Sequence, residues 1–234
     1  ISTDEIIAQV VLFFLSAYDT TTTAISLTTY LLALHPTIQD KLHTEIDQFL
    51  QNLHHQNLHQ DQDQEYSTSK ALSLVTFDSL AQLPYLNAVL SESLRLYPPG
   101  TFTERMASKD LLVQAEDREK QFEVKAGDII RIPIYALHLD EKQWPSASTF
   151  DPSRFLSGSS DLATYHKYAY LPFSQGPRNC VARSLALYES KIALLHLFAN
   201  YQVKTCAETD IPVKFYNNGQ VLTPRDIRLK LEKR

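Results

Sequence analysis

Cysteine is scarce: Cys180 and Cys206 are the only two in 234 residues. That is too few for a disulfide framework and suits a reducing, cytosolic face. No excess of positive charge is present. Lys and Arg number 22 against 27 Asp and Glu, a net charge of −5, which argues against nucleic acid as a partner. No signal peptide is visible in the sequence, and no run reads as a transmembrane span. The most apolar stretch, Ile6 to Leu15, is too short to cross a bilayer and contains Gln9. Internal repeats and an initiator Met are also lacking. What remains is ordinary globular composition, 44% hydrophobic and 21% charged, with length enough for a substantial core.

Asp4 to Leu34 reads as one long helix, mostly apolar and hence mostly buried. His35-Pro36 ends it, and a second helix places Ile38, Leu42, Ile46 and Phe49 on one face. Residues 51–70 are dominated by Gln, His, Asn and Asp, a low-complexity insertion. A solvated, mobile loop is the preferred reading there, over a metal site from His54, His55 and His59, because nothing flanking fixes a ligand geometry. Pro84 opens a helix with Leu86, Val89, Leu90 and Leu94 inward, ended by Pro98-Pro99-Gly100. Short strands are expected at 111–113 and 122–124, and an apolar strand at 129–134 after a turn at 125–128. A short helix at 135–139 and an irregular stretch at 144–170 follow, then a long helix from Val181 through Leu185, Tyr188, Ile192 and Leu195. The tail alternates polar and apolar residues, with a turn at Asn217-Asn218-Gly219. The fold class is mainly α with small β-sheets (α+β), in one incomplete domain.

The run from Tyr170 to Cys180, Tyr-Leu-Pro-Phe-Ser-Gln-Gly-Pro-Arg-Asn-Cys, directly precedes that last helix. A thiolate at a helix N-terminus faces unpaired N–H groups and the positive end of the helix dipole, both of which favour charged sulfur. Gly176 can turn where a Cβ would clash, Arg178 can fork onto a carboxylate, and Phe173 can lie on an apolar face. One planar, apolar, dianionic ligand satisfies all four residues: haem. A buried structural cysteine is the alternative.

Two further constellations carry chemistry. In Ser16-Ala17-Tyr18-Asp19 and the threonines Thr20 to Thr23, four consecutive poor helix formers follow an aspartate that is costly to bury alone. The Thr20 hydroxyl can bond the Ser16 carbonyl and loosen the helix, leaving a groove for a diatomic ligand and water. The alternative is a Thr-rich face with a solvated aspartate. Glu92 and Arg95 lie three apart on one helix face, and Arg154 sits in Phe150-Asp151-Pro152-Ser153-Arg154-Phe155. As a surface pair, Glu92 and Arg95 would be worth only a few tenths of a kcal/mol.

The pattern Phe173-x-x-Gly176-x-Arg178-x-Cys180 resembles the haem-thiolate signature of the cytochrome P450 family. Leu94 to Pro99, Tyr135 to His138 and Cys206 to Pro212 look like its animal microsomal branch, which includes drug-oxidising enzymes and thromboxane synthase. The likeness covers nearly the whole chain except the Gln/His-rich insertion. It implies the C-terminal part of the cytochrome P450 fold, a partial haem-thiolate domain over 1–234 running from a long distal helix to a C-terminal sheet. Because resembling proteins carry roughly as many residues again upstream, including a membrane anchor, the chain is expected to be a C-terminal half, inactive in isolation.

The same resemblance implies haem b, bound with Cys180 as axial ligand to iron and with Phe173, Gly176, Arg178, Arg105 and Ala17 around it. Asp19 and Thr20 correspond to a proton-relaying acid–alcohol pair, and Glu92, Arg95 and Arg154 to a buried structural triad. For Arg105 a plain surface arginine is the competing reading. Ser16 and Ala17 depart from the family's usual residues, which puts the width of the distal groove in doubt. Leu139 departs too, and Ala182, in place of the common Gly, is a small packing change with which haem binding is still expected. His138 is read as a packed histidine without chemistry. By position, Leu15, Ser16, Phe102 and Val221 line an apolar pocket. The implied activity is insertion of one atom of O2 into a small apolar substrate, with electrons from NADPH through a flavoprotein reductase. The implied location is the cytosolic face of the endoplasmic reticulum membrane. An isomerase of fatty-acid peroxides and an inactive remnant are the rival readings; the intact Asp19–Thr20 pair favours the monooxygenase.

Overall fold

Ser2 starts the longest element by a reciprocal cap. Its hydroxyl accepts from the Glu5 N–H at 3.2 Å, and the Glu5 carboxylate accepts from the Ser2 N–H at 2.6 Å. From there α1 (Thr3–Leu34) runs unbroken in the computed structural model, which describes residues 1–57, 66–114, 120–156, 166–216 and 219–234. The helix is half core and half surface. From Thr21 onward Ala24, Leu27, Leu31 and Leu32 are buried, whereas residues 1–19 are exposed, with Phe14 70% and Leu15 55% accessible. The expectation of a mostly buried helix fails over that first half. Apolar composition makes a helix seek cover, but the described residues provide it only where α1 meets its neighbours. By length and composition α1 could also cross a bilayer, contrary to the sequence reading; the core helix of a soluble protein passes the same test.

Pro36 opens α2 (Pro36–Asn57), and α3 (Thr68–Ser73), a 3₁₀ turn (Ser79–Gln82) and α4 (Pro84–Leu96) follow. α4 packs against α1, α2 and the later elements, and buries Leu86, Val89, Leu90 and Leu94. Residues 51–57 are helical, which corrects the expected loop. Phe49, Leu50, Leu53 and His54 continue the inward face of α2 at helical spacing, and all four are buried. His54 lies edge-on to Tyr66, 5.4 Å between centroids. His59 and the rest of 58–65 lie outside the described residues.

Among the described residues, three two-stranded antiparallel sheets complete the α+β fold. β1 (Thr103–Met106) pairs with β4 (Ile129–Ile132), and β2 (Leu111–Gln114) with β3 (Gln121–Val124). The strand expected to reach 134 stops at Ile132 because Pro133 has no N–H to pair, and α5 (Ile134–His138) begins there. β1 was missed in the sequence. A second 3₁₀ turn (Pro152–Phe155) is capped by the Asp151 side chain on the Ser153 N–H. α6 (Arg183–Asn200) leads into β5 (Tyr201–Thr205), which pairs with β6 (Leu229–Lys233). The buried Gln39 amide joins α1, α2 and β5: it donates to the Leu32 and Val203 carbonyls and accepts from the Val203 N–H. Of the expected turn at 217–219, only Gly219 is described, and its φ is +72°.

Candidate functional site

Cys180 sits on an exposed loop that is hydrogen-bonded to itself. The Cys180 N–H donates to the Phe173 carbonyl at 2.9 Å, Ser174 N–H to Leu171 O at 3.0 Å, and Asn179 N–H to Gly176 O at 3.1 Å. Two left-handed residues make this tight path, Ser174 at φ 61° and Gly176 at φ 85°. A Cβ at Gly176 would meet no atom within 4 Å, but the backbone angle itself favours glycine. The helix begins later than expected. Ala182 is its N-cap and Arg183 its first residue, so Cys180 stands two residues ahead of the cap, its carbonyl accepting from the Arg183 N–H at 3.4 Å.

The thiol is free and exposed. Arg178, also exposed, has no hydrogen-bond or ion-pair partner among the described residues. Val181 and Leu185 beside them are 82% and 52% exposed. A sulfur ligand atom, an exposed guanidinium and uncovered apolar side chains fit a large, flat, apolar group with carboxylates, which is the chemistry of haem. Phe173 is half-buried: its ring packs on the core, with the Arg183 guanidinium 5.8 Å from its centroid.

Arg105 faces the same loop across a cavity of about 390 Å³, whose walls include Thr103, Leu137, Tyr168, Leu171, Ser174 and Gln175. Its Nη1 is held by Thr103 Oγ1 at 2.8 Å and the Glu104 carbonyl at 2.7 Å, so the guanidinium is oriented. Phe102 and Val221 are brought close together by the Gly100–Val221 bridge and by the Thr101 N–H on Gln220 O. Leu15, Ser16, Ala17 and Asp19 lie on the exposed half of α1. Thr20 Oγ1 donates to the Ser16 carbonyl at 2.7 Å, and Thr22 Oγ1 donates to the carbonyls of Tyr18 and Asp19. The helix stays continuous through these back-bonds.

Beneath the loop lies a buried charge network. Arg95 forks onto Glu92, Nε to Oε2 at 2.7 Å and Nη2 to Oε1 at 2.8 Å, both side chains at 0% exposure. Arg154 Nε approaches Glu92 Oε1 at 3.5 Å, and the Asp151 N–H donates to the same oxygen. Arg95 also donates to the carbonyls of His138 and Thr149, and its guanidinium lies 5.3 Å over buried Trp144. Burial pushes the Glu92 carboxyl above its ordinary pKa, while Arg95, and Arg154 to a smaller extent, pull it back.

Two further residues had little signal in the sequence. Glu45, on α2, accepts from the Tyr85 and Leu86 N–H groups at 2.6 and 2.8 Å, capping α4 where Leu83 offers no side-chain acceptor. His138 is packed, as read, but fully hydrogen-bonded: Leu171 N–H donates to Nε2 at 2.7 Å, and Nδ1 lies 3.1 Å from the Arg95 carbonyl. No group of three or more His, Cys, Asp or Glu among the described residues is placed to share a metal ion.

The cytochrome P450 family model matches residues 1–231. The chain is 38% identical over 220 residues to cytochrome P450 9e2 of Blattella germanica, covering 94% of this chain and 37% of that protein. It is 37% identical over 230 residues to cytochrome P450 3A13 of Mus musculus, with 98% and 40% covered. With cytochrome P450 3A9 of Rattus norvegicus the identity is 36% over 230 residues, with the same coverage. The chain therefore spans about two-fifths of the length of the curated relatives it matches.

Proposed function

The chain belongs to the cytochrome P450 family, and on that premise we propose that the protein containing it is a haem-dependent monooxygenase acting on an apolar organic substrate. The observation that carries this reading is the free Cys180 thiol on its hydrogen-bonded loop, two residues from Arg178, which has no partner among the described residues. Haem held through the Cys180 sulfur would supply oxygen-activating redox chemistry there.

The chain's own residues then have distinct tasks. Cys180 holds the group through sulfur, and Gly176 keeps the loop backbone free of a side chain at its left-handed turn. Arg178 and Arg105 pair with carboxylates, the second from an orientation already fixed by Thr103 and Glu104. Ala17 leaves space on the α1 surface, and Phe173 backs the loop from the core side. Thr20 spends its hydroxyl hydrogen on Ser16 O, so its oxygen is left to accept a hydrogen bond from a proton-bearing water. Asp19, exposed one residue earlier, can exchange a proton with solvent. Glu92, Arg95 and Arg154 brace the loop from beneath. Phe102 and Val221, with Leu15 and Ser16, offer apolar walls to the substrate. NADPH would supply electrons through a flavoprotein reductase docking on the Cys180 side, at the cytosolic face of the endoplasmic reticulum membrane. The Asp19–Thr20 pair favours oxygenation over peroxide isomerisation, which needs no proton relay.

In the complete protein the ferrous carbonyl complex is expected to show a red-shifted Soret band. Cys180→Ser is expected to abolish both the shift and NADPH-dependent turnover. Survival of both in the serine variant overturns the assignment.

A further inference from the structure

We infer that His138 is a positioning residue for the thiolate loop, a two-ended strut that fixes Leu171, where the loop begins, to the backbone of α4 at Arg95. The inference rests on the reading of Cys180 as the haem ligand and names what holds that ligand in place.

The geometry sets the direction of each bond. The Leu171 N–H can only donate, so Nε2 of His138 is the acceptor and carries no hydrogen. The single imidazole hydrogen therefore sits on Nδ1 and points at the Arg95 carbonyl. His138 is completely buried, and that burial lowers its pKa to about 4, so the one-hydrogen form prevails at neutral pH. Arg95 returns the contact by donating from Nη1 to the His138 carbonyl at 2.8 Å. Tyr170 stacks on the imidazole, 5.4 Å between centroids at 24°, and its hydroxyl donates to the Ser91 carbonyl on α4. Tyr170 is thus fastened to α4 directly through its hydroxyl, and Leu171 indirectly, through its N–H on His138, which in turn bonds Arg95 O.

Past this point the loop holds itself. Leu171 O receives the Ser174 N–H, and Phe173 O receives the Cys180 N–H. Two short backbone links separate the His138 anchor from the cysteine. Without the anchor, the Leu171 N–H would be buried without an acceptor, and the base of the loop would be free to shift.

Side-chain replacements separate the two ends of the strut. A Gln carboxamide offers one donor and one acceptor about as far apart as the two imidazole nitrogens, and its extra methylene lets it reach Leu171. Asn reaches Arg95 O but falls short of the Leu171 N–H, and Phe keeps only the stack on Tyr170. In the complete haem-loaded protein, His138→Gln is expected to keep the red-shifted carbonyl spectrum. His138→Asn and His138→Phe are expected to raise the unshifted, thiolate-released fraction at equal folded fraction. The Leu171 amide should exchange with solvent roughly 5- to 150-fold faster in the Asn variant, the factor implied by a buried donor left unsatisfied. If Phe fails to retain haem, the Asn–Gln pair still decides. Equal spectra and equal Leu171 exchange for Asn and Gln overturn the inference. A wild-type protein with no shifted band instead overturns the haem-thiolate reading, and leaves the Leu171 exchange rates to judge the strut alone.

Discussion

Arg95→Met is the sharpest perturbation available in the core. It removes the fork onto Glu92 and the donors to the His138 and Thr149 carbonyls, yet keeps most of the side-chain volume. Glu92 stays at zero exposure, with Arg154 at 3.5 Å and the Asp151 N–H as its remaining partners. Breaking a buried ion pair from one side costs about 3–5 kcal/mol, and each of the two carbonyls deprived of a donor adds about 1 kcal/mol or more. Against a typical total of about 5–15 kcal/mol, this is a loss of a third or more. Urea unfolding followed by far-ultraviolet circular dichroism measures it as a lower midpoint at unchanged slope. Adding Glu92→Leu removes the stranded carboxylate, while Arg154 keeps the carbonyls of Pro145 and Ser146. The double variant is therefore expected to be more stable than the single one. A single-variant cost under about 1.5 kcal/mol, or a double variant weaker than the single, refutes the view that Glu92 depends on Arg95.

Two other consequences are measurable. His138 contributes to acid sensitivity: its folded pKa of about 4 lies below the ordinary 6.5, so its contribution is complete above pH 6.5 and lost as pH falls through 4. The gap corresponds to about 3 kcal/mol, and His138→Gln should flatten the stability profile over that window in pH-dependent unfolding; an unchanged profile rules the histidine out as its source. Glu45→Ala should cost about 1–2 kcal/mol by uncapping α4. Glu45→Gln, which keeps one oxygen acceptor, should lose less, and equal losses for the two would mean that the cap contributes nothing.

Much of this arrangement was legible where spacing along one element determines it. Glu92 and Arg95 share a face because they are three residues apart on a helix, and Thr20 back-bonds to Ser16 because helical carbonyls lie four residues behind. The left-handed Gly176 follows from the turn the loop must make. What escaped was tertiary. The acceptor that caps α4 comes from Glu45, distant in the chain, and no local signal at Leu83 announces it. His138 looked like simple packing because its two polar ends meet backbone groups, which leave no trace in residue identity. The polar composition of 51–57 masked a continuing helix, although Phe49, Leu50 and Leu53 carried its period. The exposure of the first half of α1 was beyond reach, since an apolar run records a need for cover and not where the cover lies.

α4 has a consequence out of proportion to its thirteen residues. Its start is gripped by one helix, its middle holds the ring that stacks at the foot of the cysteine loop, and its end holds the imidazole anchoring that loop. It works as a lever with fixed attachment points. A substitution that rocks it slightly, even on the face remote from sulfur, would be felt as a change in how firmly that sulfur is aimed.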